Sequence, residues 1–109
     1  MSCHFIPLDG FVSQVEKYGD TLTIADSEEL LELLPEYDDW TTLSITDGKV
    51  MEVVKAKNHC GHLVLERGFE DTQKIKFSCG VCVQFIMTKA GVEAMACCDK
   101  WFDDCKKEV

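Results

Sequence analysis

The chain predicts a β-dominated α+β fold, a small antiparallel sheet or partly closed barrel with a short helix before it and a C-terminal helix after it. Three observations carry this. Residues 42–88 hold several short β-rich runs separated by turn residues. Leucines cluster once, at Leu30, Leu31, Leu33 and Leu34, between Asp26 and Pro35. Beyond Thr88 the apolar residues recur at three- and four-residue spacing. A length of 109 residues is that of one domain, and a hydrophobic content of 46% supplies a core that needs no disulfide or metal.

Residues 1–19 form an N-terminal arm in which Phe5, Ile6, Leu8, Phe11, Val12 and Val15 follow no clean period. Pro7 favours an extended start and Asp9-Gly10 a turn. Exposed aromatics in such an arm make Phe5 and Phe11 candidate docking residues; the plainer reading is that they cover one end of the sheet. Thr21-Leu22-Thr23-Ile24-Ala25 alternates as a short strand. Asp26 can cap a helix starting at Ser27, Glu28 and Glu29 suit its first turn, the four leucines supply its buried side, and Pro35 ends it. Glu36-Tyr37-Asp38-Asp39-Trp40 is an acidic, aromatic loop without calcium-loop spacing. It is expected to be solvated, with Trp40 turned inward.

The β core, residues 42–88, begins with the alternating Leu43-Ser44-Ile45-Thr46 and the hairpin signal Asp47-Gly48. Residues 50–56 form a second β-rich run, and Lys57-Asn58-His59-Cys60-Gly61 is a polar connector. Leu63-Val64-Leu65 is a strand that Arg67-Gly68 stops. Lys74-Ile75-Lys76-Phe77 reads as a further short strand, and Ser78-Cys79-Gly80 as a turn. In the last run Val81, Val83, Phe85 and Met87 share one face, and Cys82, Gln84 and Ile86 the other. Thr88 then caps a helix over residues 89–107, weakened by Gly91, with Val92, Met95, Cys98, Phe102 and Cys105 on one side. That stripe packs on the sheet or meets another subunit, so Phe102 joins Phe5 and Phe11 as a candidate interface residue.

Within the β core the residues Asp47, Gly48, Glu52, Val53, Lys55, Gly61, Leu63, Leu65, Glu66, Arg67, Gly68, Glu70, Thr72, Phe77, Gly80 and Thr88 fall in a distinctive order. In that order the segment resembles a small β domain of tailed-bacteriophage tail proteins, found near tail fibres, baseplates and tail tips. The resemblance covers a little under half of the chain, and its distinctive element is the corner Glu66-Arg67-Gly68-x-Glu70-x-Thr72. Asp71 stands where the family usually has a small glycine, Lys74-Ile75-Lys76 replaces an alanine-rich approach, and Cys79 and Cys82 replace alanine and β-branched residues. The resemblance implies a structural virion component, made in a host bacterial cytoplasm and residing in the tail. It would act through contacts with other tail proteins and with its own copies. A rigid adaptor suits the corner, with Arg67 and Glu70 or Glu66 forming an ion pair or hydrogen bonds to the turn backbone.

The chemistry on offer is otherwise sparse. Seven cysteines, an odd number and without a signal peptide, are expected to be reduced, several of them filling the core. Cys79 and Cys82 have the spacing of two zinc ligands, and Cys60 or His62 would complete a set if the hairpins lie side by side. A zinc-stabilised Cys/His binding module is therefore one alternative, and a carbohydrate-binding tail-tip domain using Tyr37 and Trp40 is another. No cofactor is expected otherwise. Nucleophilic triads, phosphate loops and convincing carboxylate pairs are absent from the sequence, so no enzyme is expected. A formal charge of −9 disfavours nucleic acid and anionic membranes, and no window approaches the ~20 apolar residues of a membrane span.

Overall fold

The computed structural model describes residues 4–18 and 22–96. The strands are β1 (Val12–Tyr18), β2 (Leu22–Ile24), β3 (Trp40–Thr46), β4 (Met51–His59), β5 (His62–Phe69) and β6 (Cys82–Phe85). The helices are α1 (Ser27–Leu33), between β2 and β3, and α2 (Lys89–Ala96), after β6. All neighbours in the six-stranded sheet are antiparallel, in the order β2-β1-β6-β3-β4-β5. The sheet curls into a half-barrel, and the core lies in its concave side.

The period of two decides which residues fill that core. Leu43 and Ile45 of β3 pair with Val54 and Glu52 of β4 and with Phe85 and Val83 of β6, so they share a face. Val15, Leu22 and Ile24 join them from β1 and β2, and Leu30 and Leu34 close the space from the helix side. Thr42 and Ser44, on the other face of β3, are buried as well. The N-terminal segment runs beside that face, with Ile6 N–H donating to Trp40 O and Trp40 N–H to His4 O.

Several expectations are corrected. Within the expected arm 1–19, the described residues 4–18 are not detached, since β1 is an interior strand between β2 and β6 and Phe11 packs half-buried on the core. Phe5 is 1% exposed, its ring against Trp40 at 4.7 Å, and so presents no docking surface. The polar connector 57–61 is mostly strand: β4 runs to His59, and only Cys60 and Gly61, at φ +54 and +83, make the turn. Two positive φ values are what a type I′ hairpin needs.

Residues 74–77 form no strand; the Ile75 N–H and C=O are taken by the side chains of Glu52 and Arg67, and Phe77 is still buried. Asp26 stands at the helix start without capping it, and its carboxylate instead accepts from Ser13 Oγ at 2.7 Å. Leu33 is exposed, and the buried side of α1 is Leu30 with Leu34. Thr88 does cap α2, its Oγ1 accepting from Gly91 N–H at 3.1 Å. On that helix Val92 faces outward and Gly91 is the buried residue. A Cβ on Gly91 would lie 2.6 Å from Phe5 Cζ, so the glycine makes room for the ring. The rest of the expected C-terminal helix, with Cys98, Phe102 and Cys105, lies outside the described residues.

Candidate functional site

Two features dominate: a buried corner where β4 meets β5, and a cleft at the open seam of the half-barrel. The corner starts with alternation, since the positions that put Val54 and Ala56 into the core put Glu52 there too, at 0% exposure. A buried carboxylate needs partners. Its Oε2 accepts from Arg67 Nε at 2.7 Å and Gly68 N–H at 2.8 Å, and its Oε1 from Arg67 Nη2 at 2.8 Å and Ile75 N–H at 2.7 Å. Burial pushes the Glu52 carboxyl up, but the Arg67 guanidinium and the Ile75 and Gly68 N–H groups together outweigh that and hold it below the usual glutamate value.

Alternation with Leu63 and Leu65 aims Arg67 inward, and a bulge follows it. Val53 pairs with Phe69 and Lys55 with Glu66, so β5 carries one residue more than β4 over this stretch, and Gly68 takes φ +62. A side chain there would also meet Thr72 O at 3.1 Å. Arg67 Nη2 donates further to Ile75 O at 2.7 Å, tying the irregular segment after the corner.

The remaining corner residues are accounted for in the same way. Thr72 Oγ1 donates to Phe69 O at 2.7 Å and accepts from Val53 N–H at 3.0 Å. Glu70 Oε1 accepts from Ala90 N–H at 2.7 Å, in the first turn of α2. Glu66 is exposed and lies opposite Lys55. The expected ion pair of Arg67 with Glu66 or Glu70 is thereby corrected: its carboxylate partner is Glu52, because both side chains lie on the inner face of the sheet. Its bond to Ile75 O is of the expected backbone kind. Glu70 and Asp71 both have positive φ, +55 and +63. Glycine takes such a backbone without the cost of a Cβ, so Asp71→Gly should raise stability by up to about 1 kcal/mol in urea unfolding.

The cleft lies between the two edge strands, β2 and β5, which do not pair with each other. It measures about 560 Å³ and its apolar wall is made by Leu22 and Ile24 of β2, Leu31 of α1, and Leu63 and Leu65 of β5. His62, Arg67 and Lys74 stand around it. The cleft thus combines a leucine-rich floor with one exposed cation, Lys74, in a chain of formal charge −9.

The zinc set expected from sequence is not brought together. Cys79 and Cys82 are exposed beside the β3–β4 turn, with Thr46, Asp47 and Gly48. Cys60 is exposed at the opposite end of β4, roughly 26 Å away at about 3.3 Å of rise per residue, and His62 opens into the cleft. The described residues gather a different trio, His4, Glu36 and Asp39. Both Asp39 oxygens are already engaged, Oδ1 with His4 Nδ1 at 3.1 Å and Oδ2 with Glu36 N–H at 2.9 Å. The trio is a clamp between the loop after α1 and the N-terminal segment.

Trp40 is half-buried and packed on Phe5, with Lys55 Nζ 4.5 Å from its ring centre, whereas Tyr37 is exposed beside His59. No helix among the described residues is long and apolar enough to cross a membrane. Comparisons with protein-family models, with curated proteins and with solved structures gave no match.

Reasoning from sequence missed Glu52 as the hub of the corner. Its signal was present: it is the one charged residue among the alternate inward positions 52, 54 and 56. The cleft had no signal, because it depends on which strands end as edges.

Proposed function

We propose that this chain is a structural component of a tailed-bacteriophage particle, a tail-tip, baseplate or fibre-attachment subunit that works by protein–protein contact. The observation that supports it is how the distinctive corner residues use their polar groups. Arg67, Gly68, Glu70 and Thr72, the residues that carry the resemblance, all bond to neighbouring backbone or to Glu52, and so build shape. A corner of this kind holds β4, β5 and the start of α2 in one fixed arrangement, which is what a subunit needs if it presents surfaces to others in an assembly. The reading assigns the chain no reaction and no cofactor. Its partners are other tail proteins and its own copies, and neither nucleic acid nor membrane is among them.

The test is made on particles. Purified virions of a phage that encodes this chain should contain it in the tail fraction by peptide mass spectrometry, and deleting its gene should leave filled heads without functional tails. Infectious particles lacking the chain would overturn the reading.

A further inference from the structure

The cleft gains its meaning from the strand beside it. In a two-residue hairpin the closing pair, His59 and His62, exchanges both of its backbone bonds, and alternation then bonds Lys57 to Val64 and Lys55 to Glu66. Leu63 and Leu65 are the residues left with N–H and C=O directed away from β4. Asn58, opposite Leu63, confirms this register, since its own N–H and C=O point the other way, to Asp39 O and Asp38 N–H. β5 is the last strand of the sheet, so among the described residues the outward groups of Leu63 and Leu65 have no ladder partner. Their side chains line the cleft. One edge therefore offers backbone pairing and apolar contact together, beside the basic Lys74.

We propose that this seam is a strand-docking site. It accepts an extended segment of a partner protein that pairs with Leu63 and Leu65, inserts alternate apolar side chains between β5 and β2, and carries a carboxylate opposite Lys74. Charge selects the occupant: Lys74 is an exposed cation at the cleft, while the charge of Arg67 is taken up by Glu52, so a carboxylate of the segment is matched to Lys74. The inference rests on the virion reading only for the partner being another particle protein.

The experiment uses the full chain and three short blocked peptides that alternate valine and threonine. One ends in glutamates, one ends in lysines, and one ends in glutamates but is N-methylated at alternate backbone nitrogens. Fluorescence polarisation should show binding of the first alone, and hydrogen exchange should slow at the Leu63 and Leu65 amides. Lys74→Glu should weaken binding roughly tenfold, in a salt-dependent way, because a carboxylate then faces a carboxylate. Val64→Glu, on the opposite face of β5, should leave it unchanged.

Equal binding of the N-methylated or the lysine-ended peptide, or no binding of the first, overturns the proposal. A concentration-dependent dimer of the chain alone that Lys74→Glu abolishes makes a second copy the occupant and overturns it equally. Virions that contain the chain, together with failed peptide binding, would remove the docking site and leave the functional reading intact. Binding without virion incorporation would do the reverse.

Discussion

Replacing Glu52 with alanine should cost about 3–5 kcal/mol, because it strands the half-buried Arg67 guanidinium and leaves the Gly68 and Ile75 N–H groups without their acceptor. A domain of this size has only about 5–15 kcal/mol of stability, so urea unfolding should show a marginal protein. The cost comes from breaking the pair, and the pair need not be worth as much itself. Arg67→Met added to Glu52→Ala should therefore recover part of the loss, since it removes the stranded charge. If both variants unfold like the parent, Glu52 is not the hub of this corner.

The same group sets an acid limit. The folded Glu52 carboxyl is held below its unfolded value, so its contribution is fully present above the unfolded value. As pH falls through the depressed folded value, that contribution disappears. Glu52→Gln should be less stable at neutral pH and should lose less on acidification than the parent.

The second large effect lies on the other side of the sheet. Phe5→Ala should cost about 3–5 kcal/mol, the usual loss for emptying a buried phenylalanine site. Gly91→Ala alone should cost about 1–3 kcal/mol, since its Cβ would sit 2.6 Å from the ring that Phe5→Ala removes. In the Phe5→Ala background the same change should be neutral or stabilising, because the methyl enters vacated space and alanine favours a helix over glycine. A double-mutant cycle measured by urea unfolding checks this; additive costs would mean that the two residues do not meet.

Gly91 also marks the limit of reading this chain from its sequence. As a helix residue glycine reads as a weakness, and only the packing of Phe5 on α2 reveals it as a clearance. The periodic elements were legible: the β3–β4 hairpin, the facing of β6, the leucine helix and the Thr88 cap all follow from local pattern. Asp26 was misread because a tertiary partner, Ser13, took the carboxylate that local rules assign to the helix start. Phe5 was misread because an aperiodic segment carries no facing information. At residues 74–77, where a strand was expected, the Ile75 N–H and C=O are taken by Glu52 and Arg67. At the corner the residues could be named but not paired, because the partner of Arg67 sits on the neighbouring strand and depends on the register of β4 against β5.

The sheet order has a consequence for how the chain folds. β6 lies between β1 and β3, with Val12 opposite Gln84 and Ile45 opposite Val83. It is the last strand among the described residues, yet in the sheet it lies between the β2–β1 ribbon and the β3–β4–β5 meander. During synthesis each half can form early from local contacts, but both keep an uncovered inner edge until β6 leaves the ribosome. Docking it closes a long loop, a slow step in chains dominated by distant pairings. In that interval the two waiting edges are open to other nascent chains, so the yield of folded protein depends on how quickly β6 arrives.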